Sequence, residues 1–306
     1  MSRERLIILN PKAGRGRAGR QQPLIERTLR ALQLPFDLER TNGPGDATRL
    51  AQQAVEAGYQ QVVLIGGDGT LNEVVTGMLT AANRPTTSLG LIPIGSGNDF
   101  SRSFEGIKPD DIKGSIARLQ RNQVRHIDVG RITTSDGTST SISYMINNIG
   151  LAIDGMVAAT VHDVPLLRRT AAYMAASLRA LLVYRAYPMQ IRFNNTKFNR
   201  EFLIATITNT RWQGGGYQLT PDAKPDDGLL DLCLVDMMPI HRALMHLPKS
   251  RNGSHIKVPA VHMGQAQRVE VAFSVPTLVT SDGEVIATDA RELVVEALPG
   301  VVDLVV

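Results

Sequence analysis

The segment that most constrains the fold is "LIGGDGTLNEV", residues 64–74, which ends an apolar run. Val62 to Ile65 is apolar at every position, as in a strand buried on both faces of a parallel sheet. A simple turn needs only one or two permissive residues, yet the next four, "GGDG", include three glycines. The surplus glycine predicts that something approaches the backbone closely at this point.

Two more loops of this kind follow apolar runs in the first half of the chain. "NPKAGRG" begins at Asn10, and "PIGSGNDF" begins at Pro93. In a doubly wound sheet the carboxyl ends of the parallel strands share one edge. The three loops are therefore predicted to meet there, with their backbone amides directed at an anion.

The order of strand and helix signals predicts two domains. Residues 1–133 alternate between the two and are predicted to form an α/β, doubly wound domain. Residues 134–306 are dominated by short strand signals and are predicted to form a β-rich, sandwich-like domain. The predicted helices lie at 23–32, from 46, at 70–82, around 112–119, at 166–184 and at 239–247.

Composition indicates a cytoplasmic protein that does not cross a bilayer. The chain is 43% hydrophobic and 20% charged, as is ordinary for a globular protein. Its single cysteine, Cys233, excludes an intrachain disulfide framework and suits a reducing compartment. No secretory signal is apparent at residues 1–10, and the most apolar stretch, residues 170–184, is short and interrupted by Arg179.

Positive charge is concentrated near the start of the chain. The net charge is +4, and residues 1–133 alone carry +5. In residues 11–20, Gly14 and Gly16 flank Arg15, and the segment contains four basic residues and no acidic residue. This patch suits phosphates, anionic lipid heads or nucleic acid, although a solvated loop would look the same.

Common nucleotide-binding fingerprints are missing. The Walker pattern G-x-x-x-x-G-K-[ST] is absent. "GRGRAG", residues 14–19, contains glycines at the spacing G-x-G-x-x-G, but it does not open a predicted helix directly after a strand and is not a clean fingerprint. These absences argue against a Walker-type NTPase and against a nicotinamide Rossmann enzyme.

Four motifs together resemble the diacylglycerol kinase catalytic-domain family, in its soluble bacterial lipid kinase branch. They are "GGDGTLNE", "PIGSGNDFSRSF", "GGGYQLTPDAKPDDGLLDL" at 214–232 and "SDGEV" at 281–285. The resemblance covers nearly the whole chain and implies a nucleotide-binding α/β domain followed by a β-rich lipid-binding domain. It implies a lipid kinase that uses ATP and Mg²⁺. One departure is Ser96, where the family usually has threonine.

The resemblance also implies a set of nucleotide-binding positions. Asp68 is expected to act through Mg²⁺ or its waters, unless it only caps a helix. Asp99 and Asp128 either extend this acidic network or serve as a helix cap and a strand-end partner. The expected ATP contacts are Thr41, Gly66, Gly67, Asp68, Gly69, Thr70, Leu71, Asn72, Ser96 and Asn98.

The family's proton acceptor corresponds to Glu284. Phosphoryl transfer to an alcohol needs a base that accepts the hydroxyl proton. Without the resemblance, "SDGEV" indicates a simple hairpin turn and not a base.

A structural magnesium site is implied in "PDAKPDDGLLDL". Its ligands are expected to be the Asp227 carboxylate and the carbonyls of Lys224 and Leu229, because a hard cation prefers oxygen. A hairpin rich in turn formers would read the same way. Asp226 and Asp231 are expected to face solvent, and the six histidines to be packing or surface residues.

The lipid end of the site is less defined by sequence. Residues 164–187 combine an apolar face with four arginines and suit either a bilayer surface or a helix packed on the β-rich domain. Expected partners are ATP, a lipid and the inner membrane surface, without nucleic acid. Two other functions stay open, an NAD kinase-like phosphotransferase and a non-catalytic lipid or nucleotide sensor.

Overall fold

The computed structural model describes residues 3–82, 87–153, 184 and 186–306. The chain divides into two compact units, 1–127 together with 300–306, and 128–299. Within the described ranges, no helix is sufficiently long and apolar to span a membrane.

The first unit is built on a parallel sheet. Its strands are β1 (Arg5–Leu9), β2 (Asp37–Arg40), β3 (Gln61–Gly66) and β4 (Ser88–Pro93), in the order β2-β1-β3-β4. The β3 and β4 residues are buried throughout, which explains their continuous apolar runs. This architecture confirms the predicted α/β class.

Helices connect these strands. They are α1 (Ala13–Ala31), α2 (Asp46–Glu56), α3 (Asp68–Thr80), α4 (Asp99–Arg102) and α5 (Ile112–Arg121). The helix predicted at 23–32 starts much earlier, at Ala13. Residues 14–16 have non-helical backbone angles and kink α1, which then continues with Pro23 inside it. The glycine-rich turn predicted after β1 therefore exists, but it lies within the first turns of α1.

The second unit is an antiparallel β structure. Its strands are β5 (Val124–Ser135, which begins in the first unit), β6 (Thr140–Met145), β7 (Asn148–Gly150), β8 (Met189–Phe193), β9 (Thr196–Arg200), β10 (Phe202–Thr208), β11 (Leu230–Asp236), β12 (Val261–Ala266), β13 (Arg268–Ser281) and β14 (Glu284–Val305). The main path runs β12-β11-β10-β7-β13-β14. A helix, α6 (Ile240–His246), and two short 3-10 helices, Leu247–Arg251 and Ser254–Lys257, connect β11 to β12.

The C-terminal end of the chain returns to the first unit. Leu304 of β14 pairs in parallel with Leu89 of β4, so that residues 300–306 extend the first sheet. The predicted division at residue 133/134 falls within β5, whereas the two compact units separate after Ile127. The return was not predicted, because "VVDLVV" looks like any other terminal strand.

Two helices of the first unit pack unusually close through a glycine. A Cβ on Gly77 of α3 would collide with the carbonyl oxygen of Thr48 and lie 2.9 Å from the Cβ of Ala51, both in α2. Only glycine lets α3 approach α2 this closely.

We expect Gly77→Ala to lower the free energy of unfolding by about 1–3 kcal/mol, because the added methyl group forces α2 and α3 apart. The measurement is urea unfolding followed by circular dichroism. Gly43→Ala is the control, since a Cβ there meets nothing within 4 Å. Equal unfolding midpoints for the two variants would contradict this packing.

Candidate active site

The loops after β3 and β4 are in direct backbone contact. A Cβ on Gly67 would lie 2.8 Å from the Cα of Gly95, and one on Gly95 would collide with the Cα of Gly67. The Ile94 amide donates to the Gly66 carbonyl at 2.8 Å and holds the loops in register. The close approach predicted from "GGDG" is thus made first of all by the neighbouring loop.

The loop after β1 joins the same cluster. The Asn10 amide donates to the Ile65 carbonyl at 3.0 Å, and its side chain donates to Thr70 Oγ1 at 2.9 Å. A Cβ on Gly14 would lie 2.8 Å from the Ile94 carbonyl oxygen, and Gly14 has a left-handed φ of 58°. The three glycine-rich loops therefore meet within the first unit, as expected for ends of parallel strands.

Arg17 connects the loops electrostatically. Its guanidinium donates to the Gly95 carbonyl at 3.0 Å and pairs with Asp110 at 2.7 Å. The basic patch at residues 11–20 therefore has an acidic neighbour that sequence proximity did not reveal. Asp110 is more than ninety residues away in sequence, and no local signal links it to Arg17.

The amino terminus of α3 lies at this cluster. Its N-cap residue is Gly67, and no side chain in the described part of the chain caps the helix. The first-turn amides and the positive end of the helix dipole are thus not taken up by a capping side chain. Such a helix start is suited to bind an anion such as phosphate.

Asp68, the first residue of α3, has a structural role at the start of another helix. Its two carboxylate oxygens accept from the backbone amides of Asp99 at 3.1 Å and Phe100 at 3.3 Å, which begin α4. Asp68 thus caps α4, and not its own helix. Asp99 itself lies 3.9 Å from the Arg102 guanidinium.

The remaining predicted ATP positions divide by exposure. Ser96 is exposed on the loop after β4. Asn98, in the same loop, is buried, and its side-chain oxygen accepts from the Gly95 amide at 2.8 Å.

The other predicted ATP positions lie after β2 and in the first turns of α3. The Thr41 amide donates to the Leu9 carbonyl at 2.9 Å at the end of β2. Leu71 is packed in the core, and its backbone amide donates to the Gly67 carbonyl at 2.9 Å. Gly69 and Asn72 are half-buried in the first turns of α3.

Glu73, which sequence reasoning left without a role, organises the neighbouring helix. Its carboxylate accepts from the backbone amides of Gly45 at 3.0 Å and Ala47 at 3.1 Å, at the start of α2. The "NE" of the third-strand motif therefore connects α3 to α2. A glutamate in the first turns of a helix gives no sequence signal for such a distant cap.

Glu284 begins β14 directly after a tight hairpin turn in the second unit. Ser281 pairs with Glu284, and the two residues between them, Asp282 and Gly283, have φ values of 51° and 90°. Positive φ at both central positions is what a two-residue hairpin of type I′ requires. Glu284 is exposed.

Asp282 fixes this turn to the rest of the second unit. Its carboxylate accepts from the backbone amides of Ile146 and Asn147 at 2.8 Å and Asn148 at 2.9 Å. Its own amide donates to the Asn148 carbonyl at 2.9 Å. Asp282 therefore holds the turn from which Glu284 projects, a role that the sequence did not suggest.

The predicted cation ligands lie in a turn that Asp128 holds. The Asp128 amide donates to the Pro225 carbonyl at 2.7 Å, and its carboxylate accepts from the Gly228 amide at 2.7 Å. Asp227 is exposed and accepts from the Leu229 amide at 3.0 Å. Asp128, expected either near a metal or as a strand-end partner, makes the second kind of contact.

The expectation that Asp231 faces solvent is wrong. It is 4% exposed, because β11 lies between β10 and β12 in the sheet. Burial, and to a smaller extent the nearby charges of Asp227 and Asp222, raise its pKa to about 6. One carboxylate oxygen accepts from Gln265 at 3.0 Å, and the other is buried with no hydrogen-bond partner in the described part of the chain.

The carboxylate of Asp231 and its acidic neighbours favour a cation near the predicted turn. A buried carboxylate oxygen without a donor, close to two further aspartates, is electrostatically suited to a divalent ion. Across the residues the structure describes, no group of three or more His, Cys, Asp or Glu side chains is arranged to hold a metal ion. A site made of one carboxylate and two backbone carbonyls would not form such a group, so Lys224, Asp227 and Leu229 stay a prediction.

Two other expectations concern residues away from these clusters. His255 is buried and packs against Cys233, with 3.8 Å between Nε2 and Sγ, and burial lowers its pKa. Residues 164–187, expected to contact lipid or pack on the β-rich unit, lie almost entirely outside the described residues.

Comparisons with known proteins agree with this organisation. A family model described as the diacylglycerol kinase catalytic domain matches residues 4–132. A second, described as the YegS C-terminal NAD kinase beta sandwich-like domain, matches residues 147–306. A diacylglycerol kinase of Bacillus subtilis is 30% identical over 282 residues, which are 91% of this chain and 88% of that protein. The chain belongs to the diacylglycerol kinase family of lipid kinases.

Other family members and a more distant fold relative complete the comparison. A diacylglycerol kinase of Staphylococcus saprophyticus is 29% identical over 288 residues, covering 93% of this chain and 90% of that protein. A crystal structure of a diacylglycerol kinase from Bacillus anthracis aligns over 99% of this chain and 96% of its own, with a TM-score of 0.72 and 21% identity. Yeast NADH kinase complexed with NADH aligns over 99% and 83%, with a TM-score of 0.55 and 10% identity. The structural likenesses support the two-part fold, and the predicted family is confirmed.

We expect Asp282→Asn to free the Glu284 turn, because an amide cannot accept three backbone donors as a carboxylate does. Amide hydrogen exchange at residues 146–148 should speed up about tenfold or more, equivalent to a local loss of about 1–3 kcal/mol. Asp289→Asn, an exposed change on β14, the strand that follows the turn, is the control. Unchanged exchange in Asp282→Asn would show that this carboxylate does not hold the turn.

Proposed function

We propose that this protein transfers the γ-phosphate of ATP, with Mg²⁺, to the hydroxyl of diacylglycerol or a related lipid such as phosphatidylglycerol. The observation that carries the proposal is the convergence of three glycine-rich loops at an amino terminus of α3 that no side chain caps. Family membership supports the reaction class.

The donor half of the site is assigned to the first unit. The amides around Gly66, Gly67 and Gly69 are proposed to bind the ATP phosphates, since α3 presents them without a competing cap. Ser96, whose side chain is exposed, is proposed to contact the nucleotide directly. Buried Asn98 acts mainly by shaping the loop. Its side-chain oxygen accepts from the Gly95 amide, and its side-chain nitrogen donates to the Gly95 carbonyl.

Mg²⁺ bound with ATP would neutralise charge that develops on the phosphates. Asp68 fits a role through the ion's water molecules more readily than direct coordination, since both its oxygens accept backbone amides. In the second unit, Lys224, Asp227 and Leu229 are proposed to hold a structural cation, supported by the orphaned buried oxygen of Asp231.

Glu284 is proposed as the base that accepts the proton of the lipid hydroxyl. It is exposed at the first position of β14, and the turn before it is held by Asp282.

We expect Glu284→Gln to lower kcat by about 10² to 10⁴, because the amide cannot accept the hydroxyl proton. ATP affinity should stay nearly unchanged, since Glu284 contacts the acceptor. The assay measures transfer of labelled γ-phosphate to lipid, with Glu292→Gln, an exposed residue of the same strand, as the control. Full activity of Glu284→Gln would remove the assignment.

We expect Gly67→Ala to weaken ATP binding about tenfold, because its Cβ would separate the β3 and β4 loops. Isothermal titration with ATP and Mg²⁺ measures this. Gly77→Ala is the matched control, as it is expected to destabilise the same unit away from the loops. If both variants lose the same affinity, general destabilisation and not loop geometry is responsible.

The acceptor is identified by offering the protein a total lipid extract and NAD together, with γ-labelled ATP. Label in diacylglycerol or another hydroxyl-bearing lipid supports the proposal, and its chromatographic position names the acceptor. Label in NAD instead would establish the alternative, an NAD kinase-like phosphotransferase. Yeast NADH kinase is similar in fold to this chain. Stoichiometric ATP binding with no transfer to any acceptor would indicate a sensor.

A further inference from the structure

The connection from β11 to β12 exposes apolar side chains on a short helix. None of the residues of α6 is buried. Met245 is 66% exposed, Met237 43%, and Ile240 and Leu244 39% each. Ile240 and Leu244 are four residues apart and therefore lie on one face of the helix. Large apolar side chains grouped in this way on a surface indicate a binding partner.

The same connection is basic and contains no acid. Residues 237–260 include Arg242, Lys249, Arg251 and Lys257 but no aspartate or glutamate, although the whole chain contains 29 acidic residues. All four basic residues are exposed. The acid that precedes the segment, Asp236, is paired with Arg200 at 3.2 Å and with His262 at 2.8 Å, so its charge is largely compensated.

We propose that residues 237–257, the α6 patch, dock on a bilayer surface that contains anionic phospholipids. Exposed apolar side chains enter the boundary between headgroups and acyl chains, while lysine and arginine face the lipid phosphates. This inference builds on the lipid kinase proposed above, since an enzyme with a lipid acceptor must reach a membrane.

A fluid membrane fits the α6 patch better than a folded protein partner. Two of its four exposed apolar residues, Met237 and Met245, are methionines, whose flexible side chains adapt to an irregular surface. Its charge is of one sign only, which matches the negative surface of an anionic bilayer.

Vesicle sedimentation without ATP tests the proposal. We expect the protein to bind vesicles of phosphatidylcholine mixed with phosphatidylglycerol and to bind pure phosphatidylcholine much less. Replacing Arg242 and Lys249 by glutamine together should reduce binding to the mixed vesicles about tenfold or more, since each basic residue near such a surface contributes about fivefold. The paired change Leu244→Ser and Met245→Ser should also reduce it.

Matched controls separate this patch from general effects of charge or exposure. Lys113→Gln and Lys197→Gln together remove the same charge from exposed positions elsewhere. Ile142→Ser removes an apolar side chain as exposed as Met245, at 62%. Both controls should bind vesicles as the unmodified protein does.

A fluorescent label locates the contact. A polarity-sensitive dye on Met245→Cys should shift to the blue with mixed vesicles, while the same dye on Ile142→Cys should not. The native Cys233 is buried and does not compete for the label.

Three other results would overturn the inference. Equal loss in the patch and control variants means that binding follows net charge alone. Dimers that disappear in Leu244→Ser with Met245→Ser, without any vesicle binding, would assign the α6 patch to a second copy of the chain. A lower melting temperature in that variant with unchanged vesicle binding would show that another part of this chain covers the patch. Because no step needs turnover, vesicle binding by a protein that fails to phosphorylate lipid would refute only the proposed reaction.

Discussion

The candidate nucleotide site depends on backbone packed directly against backbone. Gly67 and Gly95 approach so closely that a single methyl group on either cannot be accommodated without movement. This contact joins the β3 and β4 loops, and Gly14 brings in the loop after β1 in the same manner. Interiors are packed too densely to absorb extra atoms without strain, so the missing side chains are what brings the loops together at α3.

Much of this arrangement is visible in the sequence, because its causes are local. Apolar runs buried on both faces identify β3 and β4, and glycines directly after them mark loops that approach another backbone closely. The hairpin before Glu284 is equally local, since Asp-Gly is suited to the positive φ of its turn. The fold class and the convergence of the loops could therefore be predicted.

What could not be predicted depends on distant neighbours. Strands β9 and β12 carry few buried residues, so they lack the alternation that reveals a strand. Asp231 was expected to face solvent, and it is buried because β10 and β12 flank β11 on both sides. The pairing of Arg17 with Asp110 and the return of residues 300–306 beside β4 are likewise long-range consequences of the fold.

The contacts of the acidic residues differ in a way that favours Glu284 as the proposed base. Asp68, Asp128 and Asp282 each accept backbone amides, and those hydrogen bonds occupy lone pairs that an incoming proton would need. Such carboxylates are well suited to fix loops and turns. The Glu284 side chain is exposed and makes no hydrogen bond or ion pair within the described residues, so its carboxylate oxygens are available to a hydroxyl. A base must exchange its proton in each turnover, while the turn that carries it must stay fixed. Asp282 and Glu284, on either side of Gly283, fit these two requirements of the proposed base, because the Asp282 carboxylate accepts backbone amides and the Glu284 carboxylate does not.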